Sequence, residues 1–405
     1  MSATRANLPA SAAGSAAEVL RVALKLGCSA FGGPVAHIGY FERTYVERLG
    51  WLSAAEYTSI VALCQILPGP SSSQVGLLIG HHRAGWRGAL AAWVGFTLPS
   101  AILMYLFAVL SLRVHGPIAQ AVVHGLMLTA VAVVGQALFS MWRSLCPDFP
   151  RAALALIAAA LLIVHGGSPV QLIVMAVGAL GGWLFCRTAR GSELPSPGAV
   201  SLRSAWILLG IFGVLFALLP ILGALNPRGW AELAAIFYRA GALVFGGGHV
   251  VLPLLRDELV PDGWISDGTF LTGYGFAQVL PGPLFTFAAY LGAACAPANL
   301  RLLWAVVALA AIFLPGLLLA LAGASLFERL ARIPHALPVL AGINAAVVGV
   351  LAAAFYDPVC TTAIRGGADA AVAVGAVVLL IRFKLPPMLI AALCVIAAVG
   401  LARLR

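Results

Sequence analysis

Two short stretches carry side chains of a type and spacing suited to holding an anion. Pro68-Gly69-Pro70 is followed at once by Ser71-Ser72-Ser73-Gln74, and Pro281-Gly282-Pro283 is followed by Leu284-Phe285-Thr286. Each proline lacks a backbone N–H, and each glycine is free to take unusual dihedrals. A helix arriving at Leu67 or Leu280 must therefore stop or kink, and another can start just beyond. The first N–H groups of such a helix have no intrahelical partner, and its dipole end is positive. Hydroxyls beside free N–H groups suit an oxyanion. A serine cap on a proline-kinked structural helix would use the same residues. Recurrence at matching places in the chain favours the ligand role. Gln65 and Gln278 precede the two breaks, where they either donate to a ligand or satisfy the broken backbone.

Two cations hold equivalent places. Lys25 and Arg239 each lie six residues before a Phe-Gly-Gly. A cation inside a membrane span is costly and usually pairs or lines a pathway. Lys25 and Lys384 are the only lysines in the chain, so Lys25 is no part of a general lysine surface. Contact with an anion and a structural role, either snorkelling or pairing with Glu18 or Glu232, both fit these positions. Gly32, Gly33 and Pro34, with Gly246, Gly247 and Gly248, should form helix breaks or close backbone contacts. His37 and His249 follow at different spacing. Each is a candidate for proton coupling or for a plain interface hydrogen bond.

These residues lie in a chain that is 62% hydrophobic and 9% charged, where soluble domains carry about 25% charged residues. The mean hydropathy is +1.02. Stretches of the ~20 apolar residues that a span needs recur from end to end. The composition therefore predicts an all-α polytopic membrane protein with about 10–12 membrane elements and helices broken at the two Pro-Gly-Pro sites. The net charge of +10 would suggest nucleic acid in a soluble protein. Here the basic residues mostly lie between apolar segments and read as cytoplasmic loops, with lipid and not nucleic acid as the partner. The seven cysteines are scattered without a C-x-x-C pair, as small buried side chains are.

Two halves are legible. Glu18, Lys25, Gly27, Phe31, Gly32 and Gly33 match Glu232, Arg239, Gly241, Phe245, Gly246 and Gly247 at an offset of 214. Trp51, Ser53, Gln65 and Pro68-Gly69-Pro70 match Trp264, Ser266, Gln278 and Pro281-Gly282-Pro283 at 213, and Leu98-Pro99 matches Leu314-Pro315 at 216. The order is kept while the offset drifts across loops, as duplication requires. The expected organisation is a flexible tail over 1–17, an N-terminal membrane repeat over 18–186, a basic cytoplasmic linker over 187–203 and a C-terminal membrane repeat over 204–405. The loop before the second break is acidic and the linker basic, which favours inverted repeats.

Signals of enzyme chemistry are missing. No G-x-x-x-x-G-K, H-E-x-x-H or G-x-S-x-G occurs, which argues against ATP hydrolysis, zinc proteolysis and hydrolase chemistry. No spacing favours a metal site among His81, His82, His115 and His124, and no cofactor is called for.

Phe31-Gly32-Gly33-Pro34-Val35-Ala36-His37-Ile38-Gly39 and Leu63 to Gln74 resemble the N-terminal signature of the chromate ion transporter family. Phe245 to Pro253 and Gln278 to Thr286 resemble its C-terminal signature. That resemblance implies a multi-pass protein of the bacterial inner membrane that exports chromate and gives chromate resistance. It also implies halves in opposite orientation, a cycle driven by the proton motive force, and sulfate as the look-alike substrate. A sulfate or oxyanion importer, a channel and a membrane-embedded oxyanion reductase are the alternatives, and a homodimer is an open option. The residue-level expectation is alternating access around a tetrahedral dianion held between the Pro-Gly-Pro breaks. Ser71, Ser72, Ser73, Gln74, Thr286, Gln65 and Gln278 would contact it, and Lys25 and Arg239 would balance its charge.

Overall fold

The computed structural model describes residues 14–111, 116–165, 168–186, 200–245, 248–331 and 336–404. Gly246, Gly247, most of the expected tail and most of the expected linker lie outside these residues. The regular structure within them is entirely helical. Each half opens with four short helices in two pairs. In the first half they are α1 (Ala16–Ser29), α2 (Gly33–Phe41), α3 (Ala54–Ile66) and the first arm of α4 (Ser71–Ser111). α4 is 41 residues long but bends sharply at Ala84 and Gly85, where Gly85 has φ 60°.

The ends of these helices show that the pairs are re-entrant hairpins. Gly14 N–H donates to the Arg83 carbonyl at 3.0 Å. Arg83 also pairs with Glu18 at 3.2 Å and lies 5.1 Å over the Trp51 ring. The start of α1, the loop between α2 and α3, and the bend of α4 therefore share one end of the molecule, called here the first face. At 1.5 Å per residue α1 is about 21 Å long, too short for a hydrocarbon core of about 30 Å. It stops halfway, and α2 returns. Two glycines permit that reversal: Gly32 has φ 97° and Gly33 has φ 76°, a region side chains avoid. The second hairpin stops at Ile66 and restarts at Ser71 around Gly69, at φ 118°. Beyond its bend, α4 crosses the whole molecule. α5 (Pro117–Leu145), α6 (Phe149–His165) and α7 (Ser168–Phe185) follow, and α8 (Leu202–Leu225) leads to the second half.

The second half repeats the order as α9 (Trp230–Leu243), α10 (Val251–Leu259), α11 (Asp267–Ala277), α12 (Phe287–Cys295) and α13 (Arg301–Ala331). α14 (Ala336–Ala354), the single turn α15 (Thr361–Ala363), α16 (Gly367–Arg382) and α17 (Pro387–Leu404) complete it. Its hairpins enter from the opposite, second face. Phe107 lies on α4 beyond the midpoint, and it stacks at 3.8 Å on Phe276 and at 5.7 Å on Tyr290, both in the second half's hairpin. Reciprocally, a Cβ on Gly323, beyond the midpoint of α13, would lie 2.8 Å from Leu67. The two repeats are thus inverted, as the charge pattern favoured.

The later helices are exchanged between halves. α14 packs on α6 and α7 of the first half, and α5 packs on α16 and α17 of the second. Among the described residues, five helices are long and apolar enough to cross a membrane by length and composition: α4, α5, α8, α13 and the segment Leu337–Ala363. α8 buries little of itself within the protein, and its exposed Trp206, Ile207, Ile211 and Val214 suit contact with lipid.

The close approaches are backbone on backbone. A Cβ at Gly69 would lie 2.8 Å from the Gly316 Cα, and a left-handed φ costs a non-glycine residue about 1–2 kcal/mol. Gly69→Ala is expected to destabilise the protein by about 2 kcal/mol or more, read as a lower melting temperature in detergent. Gly375→Ala, on an exposed helix face with nothing within 4 Å, should leave it unchanged or slightly raised.

Candidate functional site

The four helix breaks meet at the midpoint. Pro68-Gly69-Pro70 owns one backbone N–H, that of Gly69, because proline has none. Gly69 N–H donates to the Val244 carbonyl at 2.7 Å, at the mouth of the second half's first break. The equivalent Gly282 N–H donates to the Ala30 carbonyl at 2.9 Å, at the mouth of the first half's first break. Each Pro-Gly-Pro is therefore tied to the other half. The surroundings repeat as well. A Cβ on Gly69 would meet Gly316, and one on Gly282 would meet Ser100 Oγ at 2.8 Å. Gly27 abuts the carbonyls of Gly95 and Phe96, as Gly241 abuts that of Ile312. Gly248, the described glycine of the second Phe-Gly-Gly-Gly, faces Pro34 and Leu284 across the crossing.

The polar side chains divide into those with partners and those without. Gln74 is fully buried, and its Nε2 donates to the Pro68 carbonyl at 2.8 Å and to the Gly316 carbonyl at 2.9 Å. It ties its own break to the other half's spanning helix. Thr286 Oγ1 donates to the Pro283 carbonyl at 2.9 Å. Ser72 Oγ lies 3.3 Å from His37 Nδ1, and His37 Nε2 lies 3.2 Å from the Ala30 carbonyl. A carbonyl only accepts, so Nε2 carries a proton, and in the neutral ring Nδ1 accepts from Ser72. The Ala30 carbonyl thus receives both His37 and Gly282. His249 Nδ1 lies 2.7 Å from the Tyr274 hydroxyl. Ser73 Oγ and Gln278 Nε2 are buried donors without a partner among the described residues. An unpaired buried donor costs about 1–3 kcal/mol and marks a place where a ligand atom can be received.

Other expected site residues are exposed, half-buried or paired with a neighbour. Lys25 is exposed on α1, and Gln65 is exposed on α3. Glu18 pairs with Arg83 and not with Lys25. Arg239 pairs with Glu258 of α10, while Glu232 accepts from the Arg228 N–H. Ser71 is half-buried at the first turn after the break. Among the described residues no group of three His, Cys, Asp or Glu is placed to hold a metal ion.

One buried histidine–carboxylate pair escaped sequence reasoning. His124 Nε2 on α5 lies 3.1 Å from Asp369 Oδ1 on α16, with both residues buried. Asp369 also accepts the Arg365 N–H at 3.0 Å. The pair joins the two halves near the second face. Its partners are 245 positions apart, and only the exchange of helices brings them together. The lone intramembrane acid of α16 was the available signal.

The sequence profile described as chromate transporter matches residues 17–183 and 231–401. A chromate transport protein of Pseudomonas aeruginosa is 29% identical over 348 residues, covering 84% of this chain and 80% of the relative. One from Cupriavidus metallidurans is 28% identical over 391 residues, covering 93% and 91%. A probable chromate transport protein of Synechococcus elongatus is 28% identical over 338 residues, covering 82% and 81%. No solved structure matches the chain significantly.

Removing one partner of a buried ion pair typically costs about 3–5 kcal/mol, whereas an apolar replacement of both can be neutral. Asp369→Ala is therefore expected to lower the melting temperature markedly. The double variant His124→Leu/Asp369→Leu should recover most of that loss in the same melt.

Proposed function

This chain belongs to the chromate transporter family, and on that premise we propose that it is a secondary transporter that exports chromate from the cell by alternating access and so confers resistance. The observation that carries the reading is the reciprocal crossing. Four non-helical breaks from two inverted repeats meet at the midpoint, and irregular backbone at that depth is tolerated where it is packed in protein or lines a wet cavity. Inverted repeats with broken helices at the midplane suit a carrier whose halves rock about a central site. A tetrahedral dianion would be received by the N–H groups of the first turn at Ser71, Ser72 and Ser73, by the free Ser73 hydroxyl and by the Gln278 amide. Lys25 and Arg239 would set the potential along the approach.

Charge supports an orientation. By the course of the chain the first face carries Arg43, Arg48, Arg83, Arg87, Arg143, Arg151, Arg382 and Lys384 beside the acids Glu18, Glu42, Glu47, Glu56 and Asp148, while the second carries Asp257, Glu258, Asp262, Asp267 and Asp357 beside the fewer bases Arg228, Arg256, Arg301 and Arg365. By the positive-inside rule the first face is cytoplasmic in the inner membrane, and with it the linker. A potential that is negative inside drives an exported anion outward by about 2.3 kcal/mol per charge per 100 mV. A dianion gains roughly twice that, enough to drive export without a coupled proton. If protons are coupled, His37 and His249 are the candidates at the crossing.

The test is radiolabelled chromate uptake into everted membrane vesicles. Uptake is expected in energised vesicles, reduced by excess sulfate and collapsed by a potential-dissipating ionophore. Ser73→Ala removes a hydroxyl without a protein partner. It is expected to keep the melting temperature while lowering transport tenfold or more, a loss of about 1.4 kcal/mol of anion binding per tenfold. The Ser71/Ser72/Ser73 triple alanine should abolish uptake. Wild-type vesicles that accumulate no more chromate than empty ones would refute export.

A further inference from the structure

We propose that the protein carries a second oxyanion site, a basic loading cleft on the first face, distinct from the crossing and opening onto it. The inference rests on the transport reading above for its purpose, but not for its chemistry. The cleft has a volume of about 740 Å³. It is lined by Phe31 and Gly32, at the first break of the first half, by Arg143 at the end of α5 and by Lys384 in the turn between α16 and α17. Gln136, Ser140 and Ser144 of α5 line the wall between them. Among the described residues no acidic one lines the cleft.

Three features point to an anion of chromate or sulfate size. The two cations come from different halves and converge on one cavity. Both are exposed and neither has an acidic partner within salt-bridge distance among the described residues, so their charge is available. Arg143 is steadied at 5.7 Å over the Phe139 ring. Lys384 adopts φ 53°, a left-handed conformation that a lysine takes at a cost of about 1–2 kcal/mol. Such strain gathers at functional sites.

The inverted repeat supplies the comparison. The cleft lies among α2, α5 and the junction of α16 with α17. The equivalent elements of the other half are α10, α14, α6 and α7. These elements enclose a cavity of only about 120 Å³, lined by Pro253, Arg256, Asp257, Ala353, Tyr356 and Asp357. Arg256 is held at 3.0 Å by Asp267 and at 3.7 Å by Asp257. The two vestibules are therefore alike in construction and opposite in character. The first is open and positive; the second is constricted, and its single cation is neutralised. An oxyanion is drawn to the first and is not retained by the second. This charge asymmetry gives the carrier a preferred direction of loading.

The experiment uses the full-length protein purified in detergent and in proteoliposomes, with Arg143→Gln, Lys384→Gln, the double variant and Arg143→Lys. Sulfate binding is measured on the purified protein by equilibrium dialysis at low and high ionic strength, and chromate transport is measured separately. The expected result is a higher-affinity class of sulfate site in wild type. That class should weaken at high salt, fall at least tenfold in the double variant and persist in Arg143→Lys. For transport, the KM should rise about tenfold in the double variant while the maximal rate stays within about twofold. Wild-type protein that binds no sulfate, or a double variant that binds it as well as wild type, would overturn the proposal whatever transport shows. Sulfate binding lost in the double variant without any chromate transport in wild type would uphold the cleft and refute the export reading instead.

Discussion

A glycine between two prolines has the single N–H of its tripeptide, and here both such N–H groups are given to the other half of the protein. Gly69 bonds to Val244 and Gly282 bonds to Ala30. In a medium without water an unmade backbone bond costs several kcal/mol. The two bonds therefore fix how deep each hairpin reaches and where it stops. The left-handed glycines, the close contact of Gly69 with Gly316 and the burial of Gln74 follow from that placement. Replacing either flanking proline would add a backbone donor at the crossing.

The same economy shapes the site. Donors that a ligand might have used are already engaged: Gly69, Gly282, Gln74, Thr286 and the His37–Ser72 pair all bond within the protein. Among the described residues, the free groups that remain include the Ser73 and Thr97 hydroxyls and the Gln278 amide, with the first N–H groups of a helix. A site with few free donors and no fixed charge in contact holds an anion weakly. A carrier needs that, since it must release what it binds. Fixed charge stands instead at the approaches, where Arg143 and Lys384 face the first surface.

Much of this was legible in the sequence. The two offsets of 213 and 214 revealed the repeat, and the proline and glycine positions marked where helices stop. Gly32, Gly33, Gly69 and Gly282 all adopt the positive φ expected of a break. The breaks turn back rather than cross, which follows from the shortness of α1 and from the Arg83 contacts with Gly14, Glu18 and Trp51. Helical periodicity does not carry that information. Partners were harder to read than positions. The seven-residue spacing of Glu232 and Arg239 is too long for a direct pair on one helix, but only the fold shows that Arg239 turns to Glu258 on the returning helix. His124 and Asp369 could not be joined from the sequence, because helices exchange between halves only in three dimensions. Lys25 was legible as unusual, but its exposed place on α1 required the fold.

The exchange of helices also sets an order of assembly. α6 and α7 are made early, yet the surface they pack on is α14, and Ala30 waits for the N–H of Gly282. As the chain leaves the ribosome, its first half therefore enters the bilayer with its central carbonyl and its last two helices unmatched. It can complete neither until the second half has been inserted in the opposite sense. Lipid, and any insertion factor at hand, must shelter that half-built state, so biogenesis rather than the finished structure is where a truncated chain would fail first.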